Sequence, residues 1–236
     1  MALPQLTTPE YDIVIPSTQE KIKFRPFLVK EEKILYFALE GRDESQVYDS
    51  IVKILESCIL TPNINVNKFT SYDLEYLFLK LRSKSVSEII NINLKHADSS
   101  ECQASTSVQI NIDDVNIKFN EEHVNVIEIG NGIGIKMKDP DAADIMKLNN
   151  NLPEIDRLLE VLYRCVDFVY DEKETYDDFS REEFNEFIDK MSQGQFQKVV
   201  KFFETMPKVS HEVSYTCKEC GKEETVVIEG MQSFFT

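Results

Sequence analysis

The alternation of apolar and polar residues changes period along the chain, and the changes mark out its elements. Tyr11 to Ile15 and Lys21 to Phe24 alternate in steps of two around Pro16-Ser17-Thr18-Gln19, which predicts a β-hairpin ended by Pro26. The period then lengthens. Lys30 to Glu40 places Ile34, Leu35, Phe37, Ala38 and Leu39 on one helical face before Gly41, and Gln46 to Leu60 repeats the stripe through Val47, Ile51, Ile54, Leu55 and Cys58. Thr70 to Asp73 has the spacing of a capping box ahead of Leu74, Leu77, Phe78 and Leu81. A short helix near Val86 to Ile90 is expected next, followed by strands at Ile92 to Lys95 and Ser107 to Ile112 around a polar loop holding His96 and Cys102.

In the second half, Val124 to Ile129 and Ile133 to Met137 flank Gly130-Asn131-Gly132, where Asn-Gly supplies the positive φ angles of a tight hairpin. Helices are expected at Ala142 to Leu148, Pro153 to Val169, Arg181 to Met191 and Gln195 to Met206; Pro153 suits a first turn, where its missing N–H has no partner to lose. The tail reads as a strand, a turn at Cys217 to Gly221, a strand at Glu224 to Ile228, and an apolar end with Phe234 and Phe235.

Set side by side, the halves share an order: a helix with a late cysteine, a polar loop, a capped helix, a further helix, and a hairpin with a polar turn. Cys58 and Cys165 lie 107 positions apart, Thr70 and Ser180 lie 110 apart, and Ser180-Arg181-Glu182-Glu183 is a full capping box. The expected fold class is therefore α+β, mainly helical with small β-hairpins, built as two related units by internal duplication. Coincidence of a common arrangement is the alternative. The expected divisions are residues 1–41 (hairpin and helix), 42–122 (first helical unit with hairpin), 123–140 (connecting hairpin) and 141–236 (second helical unit, ending in a CxxC turn and hairpin). Paired units of this kind offer paired surfaces, which favours assembly over a single cleft and leaves a homo-oligomer open.

Composition narrows the functional classes. At 236 residues the chain can bury a core without staples, and its formal net charge of −16 opposes general affinity for nucleic acid or an anionic membrane. A basic protein partner suits it better, although such charge also serves solubility alone. No segment approaches the length of apolar residues that a bilayer needs, and residues Met1 to Pro9 lack the basic start and apolar run of a leader. A cytoplasmic protein is expected.

The five cysteines do not form a disulfide pattern; Cys58 and Cys165 read as core thiols. Cys217 and Cys220, in Thr216-Cys217-Lys218-Glu219-Cys220-Gly221 between strands, have the form of a zinc knuckle. They are half a site, for which His211, His96 and Cys102 are the candidates to complete one structural zinc. A knuckle that has lost its ion and a redox dithiol are the other readings. The Gly130 to Gly134 loop is a hairpin and not a phosphate cradle, because strands flank it on both sides. The acidic run Asp167 to Glu186 is a solvated loop or a docking patch for a basic partner. Lys80, Arg82 and Lys84 complement the end of a helix or bind an acidic group. His96, His123 and His211 accompany no nucleophile motif, so no catalytic residue and no organic cofactor is expected.

Two stretches carry a resemblance: Lys23-Phe24-Arg25-Pro26-Phe27-Leu28-Val29-Lys30-Glu31-Glu32-Lys33, and Tyr72-Asp73-Leu74-Glu75-Tyr76-Leu77-Phe78-Leu79-Lys80-Leu81-Arg82-Ser83-Lys84-Ser85. They resemble the T4-type bacteriophage baseplate protein family, and the likeness extends over most of the chain. It implies a component of the central hub of a contractile tail, or a hub-assembly factor, made in the host cytoplasm and working through other baseplate or hub proteins. It also implies a paired-cysteine turn in the first half, where only Cys102 stands near His96. The rival readings are a zinc-dependent or redox enzyme using the CxxC turn and a host-directed phage adaptor.

Overall fold

A computed structural model describes residues 6–41, 44–95, 102–148 and 152–234. The chain forms two compact units, the first comprising residues 1–66, 72–118 and 208–236, the second residues 67–71 and 119–207.

In the first unit, β1 (Tyr11–Val14) and β2 (Lys21–Phe24) form the expected hairpin, followed by α1 (Val29–Gly41) and α2 (Glu44–Cys58). After Cys58 the chain returns to the hairpin: Ile59 bridges Phe24, and Leu60 N–H donates to the Lys23 carbonyl at 2.8 Å. Helix α3 (Ser71–Ser85) is buried on several sides at once, through Leu74, Leu77, Phe78, Leu79 and Leu81. Burial on that scale removes it from the amphipathic pattern of a surface helix. Polar ties fix its two ends. Asp73 accepts from the backbone N–H and hydroxyl of Ser17 at 2.9 and 2.5 Å, while the Ser85 hydroxyl accepts from the Phe27 N–H at 2.9 Å. Two further hairpins complete the unit, β3 (Ile89–Lys95) with β4 (Ser105–Asn111), and β10 (Lys208–Thr216) with β11 (Glu223–Glu229). Strand β5 (Asn116–Lys118) adds to the free side of β10.

The second unit is carried between β5 and β10. Its sheet runs β6 (Val126–Gly130), β7 (Ile133–Met137), β8 (Val166–Tyr170) and β9 (Thr175–Tyr176), all antiparallel. Asn131 and Gly132 take φ angles of 58° and 73° at the β6–β7 turn, as the Asn-Gly pair requires. Helices α4 (Ala142–Met146) and α5 (Glu154–Cys165) precede β8; α6 (Arg181–Asp189) and α7 (Gln193–Thr205) follow β9. The core joins the inner side of the sheet (Ile127, Ile135, Met137) to Leu162, Phe184, Val199 and Phe202 of the helices.

The same local arrangement occurs once in each unit. Arg25, just after β2, donates its N–H to the carbonyl of Cys58 at 2.9 Å; Lys138, just after β7, donates its N–H to the carbonyl of Cys165 at 2.8 Å. Six residues beyond each of these cations stands a carboxylate that pairs with it, Glu31 with Arg25 at 2.9 Å and Asp144 with Lys138 at 3.1 Å. Each carboxylate also accepts from the N–H three residues before it, at Leu28 and Asp141.

The mainly helical expectation is overturned: helix accounts for 40% and strand for 29%, in four sheets among the described residues, an α+β fold with comparable contents. Two misread segments account for much of the difference. Val166 to Tyr170 continues the apolar spacing of α5 but pairs with β7 as strand β8, and the expected helix near Val86 to Ile90 is the exit of α3 and the start of β3. Both stretches hold β-branched residues whose side chains pack well on a pleated sheet. The short β5 and β9 gave too few residues for a period to show.

Candidate metal centre

The β10–β11 hairpin turns through Cys217-Lys218-Glu219-Cys220-Gly221. Cys217 N–H donates to the Lys222 carbonyl at 2.9 Å, Gly221 N–H donates to the Cys217 carbonyl at 3.0 Å, and Gly221 has φ of 73°. A side chain in that left-handed conformation would strain the turn. Cys217 is thereby held inside at 2% exposure, with Cys220 at the surface.

The third thiol comes from the other hairpin. Cys102 enters β4 half-buried, with its Sγ 3.9 Å from Sγ of Cys217. Beside it, Thr106 Oγ1, 4% exposed, accepts from the Lys218 N–H at 3.5 Å and ties one hairpin to the turn of the other. The sulfurs of Cys102, Cys217 and Cys220 all lie within 4.8 Å of one another, so the cluster could hold a metal ion. Hydrogen bonding from the Ala104 backbone works to lower the pKa of Cys102, but burial and the thiols of Cys220 and Cys217 outweigh it and push the pKa up. Three sulfurs so close repel one another as thiolates, and a cation among them reverses that balance.

Of the residues expected to complete the site, Cys102 joins it. His211 does not: it sits along β10 opposite Ile228, six residues before Cys217. His96 lies outside the described residues.

The remaining cysteines are fully buried. Burial pushes the thiol of Cys58 up to about 11 and that of Cys165 up to about 12. The two lysines of the basic cluster on α3 are engaged by neighbouring groups: Lys80 Nζ donates to the carbonyls of Ile112 and Asp113, and Lys84 pairs with Asp113 and Glu88. His123 stands between Asp139, at 3.3 Å, and the Thr205 hydroxyl, at 3.1 Å. That hydroxyl also lies within hydrogen-bond distance of backbone carbonyls of its own helix, Lys201 at 2.9 Å and Phe202 at 3.2 Å.

A family model described as T4 bacteriophage base plate protein matches residues 8–236, nearly the whole chain. The chain belongs to that family. Comparison with curated proteins and with solved structures finds no match. Within this base plate protein, the first of the two stretches that carried the resemblance is tied by Arg25 and Glu31. Glu31, 2% exposed, accepts from Arg25, the Ser57 hydroxyl and the Leu28 N–H at 2.8 to 2.9 Å. Arg25 also donates to the carbonyls of Pro26 and Ser57, and so locks the exit of the first hairpin to the end of α2. No described helix is long and apolar enough to cross a membrane.

Proposed function

We propose that this base plate protein is a component of the tail hub, or a factor in the hub's assembly, that acts through contacts with other phage proteins in the host cytoplasm, and that Cys102, Cys217 and Cys220 hold one structural zinc ion. The family match across residues 8–236 supports the baseplate role. The observation that supports the metal is the convergence of three thiols from two hairpins separated by 115 positions. An all-sulfur donor set suits a soft or borderline ion such as zinc and disfavours calcium or magnesium. When bound, zinc would supply a redox-inert crosslink. The chain's own contribution is geometric: Gly221 makes the turn, Thr106 aligns the two hairpins, and Cys217 fixes the innermost donor.

Metal analysis of protein purified without chelator tests the centre. About one zinc per chain is expected, lost in Cys102→Ser as well as in Cys217→Ser; metal-free protein with an intact redox couple would support a dithiol in its place. Mass spectrometry of mature particles beside assembly intermediates tests the role. Abundance in both indicates a hub component, presence only in intermediates an assembly factor, and recovery with host proteins alone would exclude both.

A further inference from the structure

The second unit carries an apolar groove of 330 Å³ between its sheet and α6, floored by Ile133, Val169, Phe179, Phe184 and Phe187. Its walls are fixed from behind: the Phe179 and Phe184 rings stack with centroids 6.0 Å apart, and Phe184 also meets Tyr163 at 5.4 Å. The rim is anionic. Asp171, Asp178 and Glu183 line the mouth. Residues 171–186 hold eight carboxylates against two cations, Lys173 and Arg181. Arg181 is turned back on Glu160 at 3.0 Å and over the Tyr163 ring at 4.9 Å, so it does not neutralise the mouth.

We propose that this groove seats a bulky apolar side chain of a partner protein, carried on a segment flanked by lysine or arginine. The inference rests on the reading that the chain works through protein contacts. The volume is that of a small-ligand cavity and accommodates one or two large side chains, which is how a protein interface anchors itself. The fixed negative rim selects the flanks, since opposite charges steer the encounter and like charges oppose it. A second copy of this chain, with net charge −16 and the same rim, is disfavoured, and so is any phosphate-bearing ligand. Two carboxylates of the mouth are also held in place. Asp171 accepts from the N–H groups of Lys173 and Glu174, and Glu183 accepts from the Ser180 N–H; these hydrogen bonds hold both pKa values below the usual range.

The test titrates the full chain with a fluorescent 12-residue peptide that has a central Phe-Leu pair between Lys/Arg flanks. Saturable binding is expected, with amide shifts at Val169 and Phe179. Affinity should fall ~10-fold or more when the peptide's Phe-Leu becomes Ala-Ala, and comparably when exposed Asp177 and Asp178 are both replaced by Lys. Equal binding of a Glu-flanked peptide, indifference to loss of the anchor, or sedimentation showing a dimer that occludes the groove would each overturn the proposal. None of these results bears on the baseplate role, which the particle measurements decide separately.

Discussion

Glu31 shows what a single buried carboxylate does in this chain. Burial alone would raise its pKa, but hydrogen bonds from Arg25, Leu28, Ser57 and Lys30 outweigh burial and bring it down to about 2 from 4.5. The folded state therefore prefers the ionised form. Its contribution is complete above pH 4.5 and is lost as the pH falls from there toward 2, about 3 kcal/mol in all. Glu31→Gln should destabilise the protein by about 2 kcal/mol at pH 7 and flatten the acid limb of the stability curve relative to wild type, as urea unfolding across that range would show. The thiols divide just as sharply. With chelator present at pH 8, iodoacetamide should label Cys220 and Cys102 ahead of Cys217 and leave Cys58 and Cys165 unmodified until the chain unfolds, a pattern peptide mapping can read. The sequence already marked Cys58 and Cys165 as interior thiols, because their neighbours repeat at helical spacing. The partnership of Arg25 with Glu31 and Ser57 was not legible, since nothing local says that the end of α2 returns to the first hairpin.

At the scale of elements, the signals that could be read in advance are those complete within a few residues. The Ser180 capping box forms as its spacing requires, with the Ser180 hydroxyl accepting from Glu183 N–H and the Glu183 carboxylate from Ser180 N–H. A second box, Ser192 with Gln195, opens α7. Ser180→Ala or Ser192→Ala should each cost about 1 kcal/mol, measurable by chemical denaturation. The β6–β7 turn was equally legible, because an Asn-Gly pair states its own dihedral angles. Strand β8 was not: the tertiary context, a free side of β7 waiting for a partner, decides that Val166 to Tyr170 leaves the helical path. Helix α3 hid a different fact. Its apolar stripe announced a helix, but only packing reveals that Leu79 is buried together with Leu77 and Leu81.

For the whole molecule, Cys102 stood among the candidates to join Cys217 and Cys220, but which candidate joins them is decided by the fold, which brings the sulfurs of Cys102 and Cys217 together from 115 positions apart. An ion that binds the three thiols only where the fold has gathered them stabilises the folded state by its binding free energy. With zinc bound as proposed, 1,10-phenanthroline should lower the melting temperature by about 5 °C or more, and Cys102→Ser should reproduce the loss and abolish the chelator's effect. Scanning calorimetry with and without chelator would measure both.

The pairing of Lys118 with Lys208 means that the chain leaves the first unit and re-enters it on adjacent rungs of one small sheet, with the whole of 119–207 threaded between. On the ribosome this sets an order of events. The stretch 119–207 has emerged and can pack while β5 still waits for β10, and Cys102 waits longer still, until residue 220 is clear of the exit tunnel. At a typical ~5–20 residues per second, roughly 6 to 24 seconds separate the synthesis of the first of the three thiols from that of the last. Metal uptake at the proposed centre would then serve as a timestamp: a nascent chain holding an ion on all three thiols would be one whose translation has passed the final hairpin turn.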